Sequence, residues 1–90
     1  MAGRLTVRST PRGDETLERR LALGAIGRAI TRMRAERGLS QEQASERCGF
    51  HRTYLGSIER GRKNPPTTTL LRIAQVLECK ASELLSEAGF

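Results

Sequence analysis

Few residues in this chain could carry out covalent chemistry. The only histidine is His51, and the two cysteines, Cys48 and Cys79, have no CxxC spacing. A nucleophile needs a base within hydrogen-bond reach and a third group to orient that base, and one histidine in this pattern assembles no such set. The same residues are too few for a zinc site or a disulfide framework. The expectation is therefore no enzyme, no metal and no cofactor, with both thiols reduced and buried. What remains is cationic and hydrogen-bonding chemistry. From Arg47 to Lys63 stand five basic residues (Arg47, Arg52, Arg60, Arg62, Lys63) against one acid, Glu59. From Glu78 to Glu87 the sign reverses, with Glu78, Glu83 and Glu87 against Lys80. A net charge of +6 calls for a polyanionic partner, and charge alone suits DNA, RNA or an anionic membrane surface. One basic surface opposite a more acidic end is what a docking protein needs.

Ninety residues leave room for one domain with a modest core. Residues 1–20 hold Gly3, Ser9, Thr10, Pro11 and Gly13 without a sustained apolar period and read as a flexible basic arm, in which Arg4, Arg8 and Arg12 belong to a solvated tail or, as the alternative, to an arm that tracks phosphates. The domain is then expected over 21–90. Leu23, Ile26, Ile30, Met33 and Arg37 recur at steps of three or four, one face of a helix that Gly38 stops. Asp14, Glu15 and Thr16 are an alternative, earlier start for it. Ser40 with Gln43 three residues on forms a capping-box pattern for a short second helix ending at Gly49. A third helix fits Arg52 to Arg60 with Leu55 and Ile58 inward, and Gly61 ends it. Pro65 and Pro66 forbid regular helix in the stretch that follows. A fourth helix fits Thr68 to Leu77, with Leu70, Ile73, Ala74 and Leu77 on one face, and a fifth fits Ala81 to Glu87. No segment alternates as a strand does, so the fold class is all-α, a five-helix domain containing a helix-turn-helix.

Two short helices joined through a glycine can meet at a steep angle, because glycine accepts a positive φ. The second of the pair can then project from the domain. A B-DNA major groove, about 12 Å wide, admits one helix. The third helix is suited to enter it. Leu55 and Ile58 face in, Arg52, Thr53, Gly56 and Ser57 face out, and the small Gly56 and Ser57 permit close approach. Arg62 and Lys63 flank this helix and read as phosphate neutralisers. Tyr54 divides between inner-face packing and contact with DNA.

Gly38-Leu39-Ser40-Gln41-Glu42-Gln43, Gly49, Ile58-Glu59-Arg60-Gly61 and Asn64-Pro65 together resemble the Cro/repressor-type (XRE) helix-turn-helix family, over about residues 23–87. Arg52-Thr53-Tyr54-Leu55 followed by Ile58-Glu59-Arg60-Gly61 also resembles the restriction–modification controller proteins within it. The resemblance implies that Gln41 bonds a phosphate and that Arg52, Thr53 and Ser57 face base edges. Arg52 is the leading reader, since a guanidinium can bond guanine O6 and N7 together. It further implies that His51, Arg60, Arg62, Lys63 and Asn64 lie where phosphates run, and that Arg34 and Glu59 form a partly buried ion pair. The chain departs from the pattern at Ala44 and Ser45, which predict an under-filled core corner, at His51, a weaker N-cap than Ser or Thr, and at Pro66, where Ser or Thr often caps.

One groove-facing helix reads only about four to five base pairs, too few for a useful specificity ratio, so a homodimer on a pseudo-palindromic operator is expected. The apolar residues at the chain's end, Leu84, Leu85, Ala88 and Phe90, are the expected dimer interface, with one or two of them required to cover the domain's own small core. Beside a promoter such a repressor or activator has RNA polymerase as a further partner. No apolar run approaches the ~20 residues of a membrane span, and no signal-peptide core is present. The expected protein is a cytoplasmic transcriptional regulator without a membrane partner. The rival reading is an antitoxin-like protein that neutralises a partner protein and autoregulates its operon. A stable heteromeric complex on purification would mark it.

Overall fold

The computed structural model describes residues 12–90, with side chains from residue 16 onward. Five helices follow one another: α1 (Arg12–Glu36), α2 (Gln41–Cys48), α3 (Arg52–Glu59), α4 (Thr67–Val76) and α5 (Ala81–Glu87). No strand occurs among the described residues. α1 packs against α3 and α5, α2 against α3 and α4, and α4 against α5. Ile30, Leu55, Ile58, Ile73, Leu77 and Leu84 are fully buried where these helices converge. Ile26, Met33, Phe50, Tyr54, Leu70 and Val76 close the edges of that core.

Helix α1 reaches back to Arg12, close to the earlier start that Asp14, Glu15 and Thr16 offer, and residues 1–11 of the expected arm lie outside the described residues. The apolar period that marks the core face begins only at Leu23, because the turns before it have no core to face: Leu17 and Leu21 are more than half exposed. Intrinsic propensity carries those turns instead, since leucine, arginine, glutamate and alanine are strong helix formers.

Caps fix the remaining boundaries. Ser40 Oγ accepts from the Gln43 amide at 3.0 Å, and the Ser40 amide donates to Gln43 Oε1 at 2.9 Å, the reciprocal capping box. Pro66 precedes α4 with no side-chain cap, as its type requires. At α5 the Glu83 carboxylate accepts from the Lys80 amide at 2.7 Å. Ala44 and Ser45 are both buried, and the Ser45 hydroxyl donates to Glu42 O at 3.0 Å, which satisfies the polar atom that stands in this core corner.

Candidate nucleic-acid interface

The turn between α2 and α3 is set by Gly49 at φ +84°. Its amide donates to Glu46 O and the next amide, of Phe50, to Ser45 O, so the last carbonyls of α2 are satisfied while the chain reverses. Arg72 of α4 adds a third tie, donating from Nη1 to Cys48 O at 2.9 Å. α3 then begins with His51, whose Nδ1 accepts from the Thr53 amide at 3.1 Å. The imidazole therefore serves as the N-cap that hydroxyl or carboxamide side chains usually provide. Gly61 at φ +73° closes α3, with its own amide on Ile58 O and the Arg62 amide on Ser57 O at 2.8 Å. That closure fixes where Arg62 and Lys63 leave the helix.

Of the residues expected on the outer side of α3, Arg52 and Thr53 are exposed and Ser57 is half-exposed, and Arg60 at the end of the helix is exposed as well. Thr53, Ser57 and Arg60 recur at steps of four and three and share one face. The Thr53 hydroxyl lies 2.8 Å from His51 Nδ1, so in the free protein it is held by the cap. Gly56 is buried rather than open: a Cβ there would lie 3.3 Å from Arg60 Nη1 and 3.6 Å from Gln41 Oε1, so these two side chains close over the glycine. Arg62, Lys63 and Asn64 are exposed beside the buried Pro65. Tyr54 is half-buried, its ring edge-on to Phe50 with centroids 5.1 Å apart.

Arg34 and Glu59 form the expected pair, and it is bidentate. Arg34 Nε meets Glu59 Oε2 at 2.6 Å and Nη2 meets Oε1 at 3.0 Å, while Nη1 donates to Leu39 O. Gln41 Nε2 also donates to Glu59 Oε1, at 2.8 Å. Sequence reasoning assigned Gln41 to a phosphate and did not find this bond, which joins the first residue of α2 to the end of α3. An amide nitrogen has two N–H groups, so the second remains available.

Charge separates the molecule into two sides. Arg32 pairs with Glu87 at 3.2 Å and Arg37 with Glu78 at 3.1 Å, both on the α1–α5 side. Arg47, Arg52, Arg60, Arg62 and Lys63 lie on the α2–α3 side with no acidic partner among the described residues. Burial pushes the Cys48 thiol above its usual range, against the pull of Arg72. The neutral thiol is therefore the favoured form there.

At the chain's end the expected interface needs one correction. Leu84 has no exposed surface, because it fills this chain's own core between α1 and α4, and a partner cannot reach it. Ala88 is half-buried at the core edge, Leu85 is half-buried and Phe90 is largely exposed. Sequence reasoning also missed Gly27. A Cβ there would fall 2.4 Å from Glu59 O and 2.6 Å from Ile58 O, so α1 and α3 touch backbone to backbone. Glycines recurring at three-residue spacing, Gly24 and Gly27, were the available signal.

The helix-turn-helix family model HTH_3 matches residues 30–84. An uncharacterised HTH-type transcriptional regulator, y4dJ of Sinorhizobium fredii, is 44% identical over 61 residues, 68% of this chain and 79% of that protein. Control protein C.SmaI of Serratia marcescens is 45% identical over 51 residues, 57% of this chain and 61% of that protein. The fold is also similar to the restriction–modification controller protein C.Esp1396I, solved as a tetramer in complex with its natural 35-base-pair operator. That likeness has a TM-score of 0.66 at 27% identity, covering 77% of this chain and 96% of that one.

Proposed function

The chain belongs to the helix-turn-helix family HTH_3, and from that membership we propose that it is a sequence-specific double-stranded DNA-binding transcriptional regulator, acting as a homodimer on a pseudo-palindromic operator. The observation that carries the reading is the set of uncompensated cations gathered on the α2–α3 side. α3 enters the major groove. Arg52 reads a guanine through O6 and N7, and Thr53 and Ser57 face neighbouring base edges. Arg60, Arg62, Lys63 and Asn64 hold phosphates, and His51 sits at the phosphate-facing start of α3. Gln41 donates its second N–H to a phosphate while Glu59 holds the first, which presets the docking angle.

Two copies meet through Leu85, Ala88 and Phe90, setting two α3 helices about one turn of DNA apart. The likeness to C.SmaI and C.Esp1396I supports control of a restriction–modification operon, in the cytoplasm, by blocking or recruiting RNA polymerase. The work is binding rather than catalysis.

Selection from a random DNA pool with the purified protein tests this, and an inverted repeat is the expected product. On that site Arg52→Ala should cost about 1–3 kcal/mol per half-site and relax preference at one base pair. Lys63→Ala should weaken all sequences alike and flatten the salt slope by about one unit. A pool that enriches nothing overturns the reading, and uniform loss in both variants removes Arg52 from base recognition.

A further inference from the structure

The proposed phosphate surface ends at Asn64 in the turn after α3, but the cations continue onto α1. A Cβ on Gly61 would lie 2.9 Å from Gly24 Cα, so the turn that carries Arg62 and Lys63 rests directly on α1. Arg28 Nη1 would lie 3.3 Å from a Cβ on Gly24, so the Arg28 guanidinium sits beside the residue on which that turn rests. Arg20 stands one helical turn before Gly24 on the same face, since residues four apart are neighbours on a helix. Arg20 and Arg28 are exposed, and neither has an acidic partner among the described residues. The only acid among the described side chains of α1 before Ile30 is Glu18. Two residues from Arg20, it lies about 200° round the helix and leaves this face positive.

We propose that Arg20 and Arg28 extend the DNA surface beyond the helix-turn-helix and hold backbone phosphates that flank each operator half-site. The proposal rests on the DNA-binding reading above. One turn of α1 past the Gly61–Lys63 corner is about 5.4 Å, between one and two of the steps of about 3.4 Å along the duplex axis at which each strand carries a phosphate. Both residues precede the matched family region, which begins at Ile30. The exposed turns of α1, which no core of this chain requires, thereby gain a role.

The test compares the selected operator cut at its last specified base pair with the same operator carrying about six further base pairs at each end, several phosphates more per strand. Wild type should bind the longer probe more tightly. The Arg20→Gln/Arg28→Gln variant should lose that gain, with a salt slope shallower by about 0.9 for each lost contact. Arg19→Gln removes one charge about 100° away from Arg20 on the helix and should keep the gain. Equal binding of the long probe by wild type and double variant overturns the proposal, and so does an Arg19→Gln loss as large as that of Arg20→Gln, which would mark a net-charge effect. Failure of the parent reading appears separately, as wild-type protein with no preference for the selected site over a scrambled one.

Discussion

Removing one partner of a buried ion pair strands the other charge, and Glu59 has two partners. Its carboxylate is only 4% exposed and accepts from Arg34 and Gln41, so its loss would leave a guanidinium and a carboxamide without their acceptor. Glu59→Ala should destabilise the fold by about 3–5 kcal/mol, comparable with the whole stability of a small domain. Resistance to chemical denaturation and DNA binding should be lost together. A variant with wild-type stability and no DNA binding would instead make Glu59 a direct participant in recognition. The pair was legible in the sequence through Arg34 and Glu59 in the family pattern. The Gln41 bond was not, because nothing in the spacing tells which way a surface carboxamide turns.

Among the helices, the crossing of α1 and α3 decides where α3 can point. Gly27 allows the backbones to touch, and a methyl group there would overlap the carbonyls of Ile58 and Glu59, which belong to backbone and cannot swing aside. Gly27→Ala should therefore cost about 1–3 kcal/mol despite the higher helix propensity of alanine. Gly24→Ala provides the contrast, since its Cβ would meet only the flexible end of Arg28. It should raise stability by roughly 0.5–1 kcal/mol, a melting shift of several degrees in a domain of this size. Thermal melts of the two variants in opposite directions are the expected outcome, and melts in the same direction would refute the close crossing. Helix ends were more legible than helix crossings. Ser40, Gly49, Gly61 and the proline pair mark boundaries through local backbone chemistry, which a short window of sequence contains.

For the molecule as a whole, the acids of α5 and the preceding turn neutralise Arg32 and Arg37, while the cations of α2, α3 and the turn after α3 have no acidic partner among the described residues. Leu85 and Phe90 belong to the α5 end of the chain, outside the helix-turn-helix. With Leu84 enclosed, Leu85→Glu changes a half-buried edge position rather than the core centre. It should yield a folded monomer whose operator affinity falls by orders of magnitude, because each substitution acts on both halves of a two-fold interface. Sedimentation checks this: a dimer that still binds the full operator tightly would place the interface elsewhere.

The sequence by itself determined the five helices, the turn glycines, the inward Leu55 and Ile58, the Arg34–Glu59 pair and the basic character of the α3 region. Each of these follows from periodicity, from local cap and turn chemistry or from a family motif, all contained in linear order. Only the tertiary structure decided that Leu84 serves the core while Leu85 and Phe90 stay accessible. It also decided that Gly27 lets α1 meet α3 and that Gly61 rests on Gly24. These depend on which surfaces face each other, and burial is a property of distant segments meeting. A leucine at the edge of a short helix has the same sequence signature whether its neighbour is its own core or open solvent.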